Sequence, residues 1–590
     1  MAGRATARQP AQRPSRLEDG LREDFYDALA VVERSGVAAL ADSLTVTRAR
    51  SGKPLGAPVR FDNRALLVCM LTSALYRRST ELATVYELVE RFPDDLLAEI
   101  GLERGTDAHA LSMAQLGHRW NRLAEAMNPS PVREGRRLAK DQDGRATAAP
   151  KPAVADPKCL GPGGLNGAGP VGPLRRPRRP STRGLGRELA EGQAAQRARL
   201  LAGFVDRLLQ ACVPAAVSYR AVAVDWTDAP TAARSYSSRS TSADPDAAWG
   251  HRRPKASIAG ARARRAAKAT GRADGATRKA RLDPRLSDLA PDGTELDKSE
   301  RYYGYLAHFA VGVGDVDGPV VPELALSMRL APANDMAGVA PALMDMLGSV
   351  LEGGAPLCEV IVDRGYSSRA LGSVHVPMAE RGLFLTFDYT QRQYGRHGTY
   401  LDAPLIGGRP HCPFTPESDV RLPGLGSSRA DWAAYWRRRD ALDHFAFRPL
   451  GRPVPELYQR FQCPAKAGRA RCPFVPASLS LAHRAEVPDV GVLMADGQER
   501  LRCCGRSFVA RMEVGLGWRQ LHPHGSRAWV RSYDRRSAAE RFNSSIKLEQ
   551  QVDAMDIRVL GLAKRSLMIG FAAVATNIRH VRNWGRRPGS

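Results

Sequence analysis

Two short runs of β-branched and small apolar residues each end in an aspartate. The run 221–224 is followed by Asp225, and the run 360–362 is followed by Asp363. Such runs are typical of buried strands, and a carboxylate at the exit of a buried strand lies at the sheet edge where open α/β folds place ligands. Either aspartate alone is ambiguous, because an aspartate after a strand often caps the next element.

The apolar pattern around these aspartates predicts a mixed α/β fold. Strands are predicted over 220–225, 302–312, 319–330 and 358–363, with a helix over 336–352 before the last strand. This β-β-β-α-β order corresponds to a mixed sheet with a crossover helix.

Near the C-terminus, four polar residues share one predicted helical face: Tyr533, Arg536, Glu540 and Lys547. At 3.6 residues per turn they lie within roughly 60° of one another. A core-facing stripe would be apolar, so this stripe indicates a site where a carboxylate holds a metal and the cations hold phosphates. The alternative is an exposed amphipathic helix with an ordinary Arg–Glu pair.

The stripe resembles the Tyr-x2-Arg-x3-Glu-x6-Lys signature of bacterial DDE-class insertion-sequence transposases. Further family motifs are present in the expected order over roughly 215–390 and 528–585. They are Asp225-Trp226-Thr227, Tyr303-Gly304-Tyr305 before His308, Ala333-Asn334-Asp335, and Asp363-Arg364-Gly365-Tyr366. The resemblance implies a ribonuclease-H-like catalytic core and metal-dependent DNA strand cleavage and strand transfer.

The three carboxylates Asp225, Asp363 and Glu540 are the predicted catalytic residues and metal ligands. Converging carboxylates repel one another unless a cation neutralises them, and hard oxygen ligands favour two Mg²⁺ or Mn²⁺ ions. Arg536 and Lys547 are expected to contact DNA phosphates. Tyr533 is expected to donate a hydrogen bond to phosphate or to position Glu540.

The charge balance predicts a polyanionic partner. The chain of 590 residues carries a formal net charge of +25, and double-stranded DNA is the ordinary partner of such a chain. Synapsis of two DNA ends implies a homodimer in the active complex. No apolar run is long enough to span a membrane and no signal peptide is visible, so the expected location is the cytoplasm, on the nucleoid.

Composition divides the chain into several regions. A disordered segment 1–20 is predicted to precede a helical N-terminal domain 21–128, which binds DNA ends by family analogy. A basic Pro/Gly-rich linker 129–187 follows. The core is predicted in two parts, 188–390 with a basic insertion 228–300, and 528–590, with an insertion domain 391–527 between them. Between Arg252 and Arg281 eleven Lys or Arg residues face a single acid, Asp274, which favours an arm along DNA.

The insertion 391–527 holds five of the nine cysteines of the chain. Four of them are candidates for a structural Zn²⁺ site: Cys463, Cys472, Cys503 and Cys504. Cys412, and His411, His522 or His524, are further candidate ligands. The spacing is not the usual Cys-x2-Cys, so buried free thiols remain the alternative.

Two other functions compete with transposition. The chain could be a transposase-derived DNA-binding protein without catalysis, or a ribonuclease-H-like nuclease that cuts without strand transfer. The helical signature and the N-terminal region favour transposition over simple hydrolysis.

Overall fold

The structure is a computed structural model that describes residues 16–45, 61–104, 112–130, 191–233, 235, 242, 244–251, 301–420, 428–454, 458–483, 487–550 and 557–586. It is a mixed α/β protein in which helices flank a curled sheet, with two smaller sheets in the region after the main sheet.

Seven helices precede the main sheet. They are α1 (Arg16–Ser35), α2 (Val37–Thr45), α3 (Asn63–Tyr76), α4 (Leu82–Val89), α5 (Asp94–Glu99), α6 (Met113–Ala126) and α7 (Glu191–Gln210). Pro93 separates two of these helices, because α4 ends at Val89 and α5 begins directly after Pro93. The first helix begins at Arg16, so residues 16–20 are helical rather than disordered as predicted. Residues 1–15 lie outside the described residues.

The main sheet has six strands. They are β1 (Ala221–Pro230), β2 (Ala248–His251), β3 (Arg301–Val313), β4 (Leu324–Pro332), β5 (Glu359–Val362) and β6 (Phe384–Thr386). The order is β2-β3-β1-β5-β6, and β4 pairs with the same edge of β3 further along the strand. β1 runs antiparallel to β3 and parallel to β5, and β5 runs parallel to β6. The predicted mixed sheet is therefore confirmed.

Among the described residues between these strands are the 14-residue helix α8 (Val339–Glu352) and the short helices α9 (Arg364–Ser367) and α10 (His375–Glu380). α8 is the crossover helix between β4 and β5, as the sequence predicts. Its buried side chains, including Leu343 and Leu347, pack under the sheet with Val222 and Val360.

Three C-terminal helices complete the core: α13 (Arg527–Tyr533), α14 (Ser537–Gln550) and α15 (Leu562–Gly585). α15 is buried from Ala563 to Ile578 except at Lys564. One continuous apolar core joins it to α1, α3, α7 and the sheet. Arg582 near its end donates to Asp24 and Asp27 of α1, each at 2.7 Å. The N-terminal helices thus pack directly against the sheet-bearing part of the chain.

The region between β6 and α13 contains two three-stranded antiparallel sheets. Its elements are β7 (Arg396–Tyr400), β8 (Ala403–Ile406), β9 (Arg409–Pro410), α11 (Glu417–Val420), α12 (Arg429–Phe445), β10 (Arg448–Val454), β11 (Tyr458–Gln462) and β12 (Ser507–Arg511). The sheets are β7-β8-β9 and β10-β11-β12. A separate apolar cluster, including Phe447, Phe461 and Phe508, fills this region.

The insertion predicted to start at residue 228 begins later than expected. Residues 228–230 continue β1, and β2 within the same range pairs with the start of β3. The basic run from Arg252 to Arg281 and the predicted linker, apart from residues 129 and 130, lie outside the described residues.

Across the described parts of the chain, none of the helices combines the length and the apolarity needed to cross a bilayer.

Candidate active site at the ends of β1 and β5

The register of the sheet brings Asp225 and Asp363 together. Val224 on β1 and Val362 on β5 are paired in the parallel ladder, and each is followed directly by one of the two aspartates. The two aspartates are therefore neighbours at the point where this ladder ends. Asp363 follows the end of β5, as predicted. β1 continues to Pro230, so the prediction that Asp225 lies at the exit of its strand is wrong.

Asp363 also caps a helix. Its Oδ1 accepts a hydrogen bond from the backbone N–H of Gly365 at 2.7 Å, at the start of α9. Asp363 therefore does cap the next helix, as the alternative interpretation of an aspartate after a strand held. The cap uses one of its two carboxylate oxygens. It also holds the carboxylate against the strand end.

Asp225 lies on the face of β1 that α14 covers. In the antiparallel ladder it is opposite Phe309 of β3, and residues in such a pair point to the same face. The Phe309 ring contacts Phe542 of α14, with ring centroids 5.4 Å apart. This aromatic contact anchors α14 over the end of β1.

Two carboxylates and one guanidinium act on the ionisation of Asp225. Burial, together with the negative charges of Asp363 and Glu540, raises the pKa of Asp225 to about 7, against the lowering effects of the Trp226 backbone N–H and Arg536. Asp363 and Glu540 are therefore near enough to Asp225 to act on its ionisation. That the three carboxylates meet closely enough to hold metal ions stays a prediction.

Glu540 and Arg536 form an ion pair at the surface of α14. Arg536 Nη2 lies 2.5 Å from Glu540 Oε1, and the glutamate side chain is 53 % exposed. The guanidinium also lies over the ring of Tyr533, 5.7 Å from its centroid. Tyr533 in turn stacks on Trp529, with ring centroids 4.9 Å apart.

The predicted helical stripe is not one continuous α-helix. Tyr533 ends α13, residues 534–536 form a 3-10 turn, and α14 begins at Ser537. Arg535 in this turn is drawn inward to the buried Glu359 of β5 and to the Gly314 carbonyl. This inward contact is the physical reason that the chain tightens here. Backbone angles stay helical through the turn, so the direction of the chain is kept.

Lys547 forms an ion pair with an aspartate of β1. Its Nζ lies 2.5 Å from Oδ1 of Asp228, which is three residues beyond Asp225 on β1. Both side chains are half-buried. The ion pair ties the end of α14 to β1.

Asn543 is a site residue that the sequence reasoning missed. Its Nδ2 donates to Asp225 Oδ2 at 3.3 Å, while its Oδ1 is buried without a hydrogen-bond partner among the described residues. It stands three residues after Glu540, on the same side of the helix. That spacing was a signal that could have identified it.

An aromatic group supports the site from the other face of β1. Trp226 is opposite His308 on β3, and its ring lies 4.8 Å from that of Tyr366. The Tyr366 hydroxyl and His308 Nδ1 are 2.7 Å apart. Burial, together with the charge of nearby Arg369, lowers the pKa of His308 to about 4, so the ring is neutral at pH 7.

The donor set at this edge suits a hard divalent cation. It consists of three carboxylates and an amide oxygen, Asn543 Oδ1, that lacks a partner, and oxygen donors of this kind bind Mg²⁺ or Mn²⁺. As they stand, no three or more His, Cys, Asp or Glu side chains of the described ranges converge closely enough to hold a metal ion. At this edge Glu540 instead pairs with Arg536.

The four cysteines predicted as zinc ligands are brought together elsewhere. Cys463, Cys472, Cys503 and Cys504 line one cavity in the region between β6 and α13, and Cys412 joins them. Two of the candidate histidines are engaged differently: His411 contacts the Arg409 carbonyl and His524 stacks on Tyr389.

Comparisons of this chain with models of known protein families, with curated proteins and with solved structures found no match.

Proposed function

We propose that this chain is a DNA transposase of the DDE class that acts on the ends of an insertion sequence. The observation that carries the proposal is that Asp225 and Asp363 adjoin the end of one parallel ladder, and that α14, which carries Glu540, contacts Asp225 through Asn543. Asp225, Asp363 and Glu540 are the residues that the family signature marks, although they are up to 315 positions apart in the chain, the separation of residues 225 and 540.

The topology of the sheet supports a ribonuclease-H-like core. Three antiparallel strands, β4, β3 and β1, are followed in the sheet by two strands parallel to β1, with the crossover helix α8 between β4 and β5. In such a core the acidic residues of phosphoryl-transfer enzymes belong at the edge where Asp225 and Asp363 lie.

The proposed cofactor is a pair of Mg²⁺ or Mn²⁺ ions held by Asp225, Asp363 and Glu540. When bound, such ions activate a water or a 3′-hydroxyl and stabilise the leaving oxygen of an in-line displacement. For Glu540 to serve as a ligand, its carboxylate must leave Arg536. The released guanidinium then offers its planar fork to a DNA phosphate.

The remaining site residues position DNA. Lys547 supplies a point charge for a DNA phosphate once its ammonium group leaves Asp228. The ring of Tyr533 stacks on Trp529 and is contacted by Arg536, and its hydroxyl is the proposed donor to a DNA phosphate. Asn543 keeps Asp225 oriented.

The proposed partners are double-stranded DNA at the element ends and at the target, and a second copy of the chain. The net charge of +25 supports the first. Pairing of two DNA ends before strand transfer requires two active sites, which supports a homodimer in the synaptic complex.

The test uses the full-length protein, Mg²⁺ and a DNA fragment that carries the inverted repeats flanking its gene. The wild type is expected to cut at the repeat ends and to join the 3′ ends to a second DNA. Glu540→Gln is expected to lose both reactions while it keeps DNA binding. Glu513→Gln, an exposed glutamate in the inserted region, is the matched control and should keep wild-type activity.

Three results would decide against the proposal. DNA binding without any cutting in Mg²⁺ or Mn²⁺ would indicate a transposase-derived binding protein. Cutting with no preference for the repeat ends, and no joined product, would indicate a nuclease. Full activity of Glu540→Gln would remove the assignment of the third carboxylate.

A further inference from the structure

The region between β6 and α13 concentrates five cysteines around one cavity. The cavity is lined by Cys412, Cys463, Cys472, Cys503 and Cys504. Each of these residues is at least nine-tenths buried. They come from three separate stretches of the chain, so their meeting is a product of the fold and not of sequence proximity.

Two of the cysteines sit in the same kind of turn. Cys412-Pro413-Phe414 and Cys472-Pro473-Phe474 repeat in the sequence. In each turn the cysteine carbonyl accepts a hydrogen bond from the backbone N–H of the residue three positions later. The distances are 3.0 Å from Thr415 and 2.9 Å from Val475. Proline presets this turn through its fixed φ.

The two repeated turns each deliver one cysteine to the same cavity. Structural Zn²⁺ sites are commonly built from four cysteine thiolates. The cavity therefore gathers the type and number of ligands that such a site needs.

The other three cysteines complete the group. Cys463 directly follows β11, and its N–H donates to the Arg506 carbonyl at 3.0 Å, which ties it to the turn that carries Cys503 and Cys504. Both members of this adjacent pair line the cavity.

The remaining buried cysteines behave differently. Cys69 lies in the apolar core of α3, and Cys212 donates its thiol to the Leu208 carbonyl one turn earlier in the same helical stretch. Neither residue lines the cavity of Cys412, Cys463, Cys472, Cys503 and Cys504. Isolated thiols of this type are ordinary packing residues.

We propose that Cys412, Cys463, Cys472 and one of the adjacent pair Cys503 and Cys504 bind one structural Zn²⁺ ion as an all-thiolate site. This set adds Cys412 to the sequence prediction, and it leaves out the histidines. The thiols are not gathered around one point as they stand, so binding requires them to turn into the cavity that they line, with release of their protons.

The bound ion would connect the sheet β7-β8-β9 to the sheet β10-β11-β12. Cys412 follows β9 of the first sheet, and Cys463 follows β11 of the second, while Cys504 precedes β12. The apolar cluster between them is small, and a tetrahedral Zn²⁺ ion supplies folding free energy where a core is small. The proposal is independent of the transposase assignment.

The first experiment measures metal in the full-length protein purified without chelator. Elemental analysis is expected to give about one zinc per chain. Replacement by Co²⁺ is expected to produce the intense thiolate-to-cobalt charge-transfer band and the visible bands of a tetrahedral sulfur site. This spectrum needs no variant, so it does not depend on a mutant folding.

The second experiment identifies the ligands. Cys463→Ser and Cys472→Ser are expected to lose the metal, and of Cys503→Ser and Cys504→Ser one is expected to lose it while the other keeps it. The control is Cys358→Ser, which changes a half-buried cysteine outside the region and should keep one zinc per chain.

Three outcomes would overturn the proposal. Wild type without zinc and without a cobalt spectrum would do so, as would disulfides among the five cysteines in the protein purified under native conditions. Iron and sulfide in place of zinc would show a different centre.

Discussion

Lys547 Nζ lies 2.5 Å from Asp228 Oδ1, so a lysine assigned to phosphate contact is neutralised by a carboxylate three residues beyond Asp225. In the proposed DNA complex, a phosphate must compete with Asp228 for this lysine. The ion pair would then set part of the affinity for DNA, without involving the three carboxylates proposed as metal ligands.

The first prediction concerns this competition. Asp228→Asn should strengthen DNA binding, because Lys547 loses its internal partner. Lys547→Ala should weaken binding and lower the slope of log affinity against log salt by about one. Fluorescence anisotropy of a labelled inverted-repeat duplex over a salt series measures both. Equal weakening by the two changes would show that the ion pair, and not the free lysine, serves DNA binding.

The second prediction concerns pH and Asp225. Because burial and the nearby carboxylates raise its folded-state pKa from 3.8 to about 7, the native state binds this proton more tightly than the unfolded state. Ionising Asp225 therefore costs native stability as pH rises from about 4 to about 7. Asp225→Asn should match the wild type near pH 4 and unfold at a higher temperature at pH 8.

Thermal unfolding in EDTA at pH 4.5, 6 and 8 measures this difference, which we expect to reach on the order of 1 kcal/mol or more at pH 8. Adding Mg²⁺ at pH 8 should raise the unfolding temperature of the wild type more than that of Asp225→Asn. A variant that is less stable than wild type at pH 8 would contradict the charge repulsion on which the metal assignment depends.

The third prediction concerns Gly365, which follows Asp363 by two residues. A Cβ atom at this position would lie 1.9 Å from the Trp226 ring. Gly365→Ala must therefore displace the tryptophan or the start of α9, at a cost of about 1–3 kcal/mol, and it should reduce DNA cleavage more than DNA binding. Gly372→Ala is the control, because a Cβ there meets nothing within 4 Å.

Cleavage assays and thermal unfolding of both glycine variants test this. If Gly365→Ala cuts DNA at the wild-type rate, the packing of Trp226 against α9 does not position Asp363.

The fourth prediction concerns Arg535, which donates to the buried Glu359 of β5. Glu359 is 4 % exposed in its side chain and also accepts from Thr386 and Ser532. Arg535→Ala would leave a buried carboxylate without its cation, which typically costs about 3–5 kcal/mol. It would also loosen the turn before Arg536, so activity should fall along with stability.

The control is Arg531→Ala on the same segment. Arg531 pairs with Asp317, but both side chains are more than half exposed, and such pairs contribute about 0–1 kcal/mol. Urea unfolding of the two variants should differ clearly. Equal losses would mean that the Arg535–Glu359 pair is not the element that fixes the turn.

Much of the site could be predicted from local pattern. The β-branched runs before Asp225 and Asp363 predict strands because side-chain periodicity is a local property of the chain. The same holds for the crossover helix α8. Each of these features depends on neighbouring residues, and the structure has each of them.

Other features depend on contacts between distant residues. The pairing of Lys547 with Asp228 joins residues 319 positions apart, and the contact of Arg535 with Glu359 joins residues 176 apart. The second contact is what interrupts the predicted helical stripe with a 3-10 turn. No periodic pattern encodes such contacts, because they arise only when the sheet and α14 are packed.

The sequence by itself therefore determined the strands, the crossover helix and the identities of the acidic residues, since these depend on side-chain type and spacing along the chain. Only the tertiary structure decided that Val224 and Val362 pair in register, that Asn543 and Asp228 join the site, and that Cys412 joins the four other thiols. The physical reason is that strand register and helix packing are set by the burial of a shared core, which is a property of the whole chain and not of any one segment.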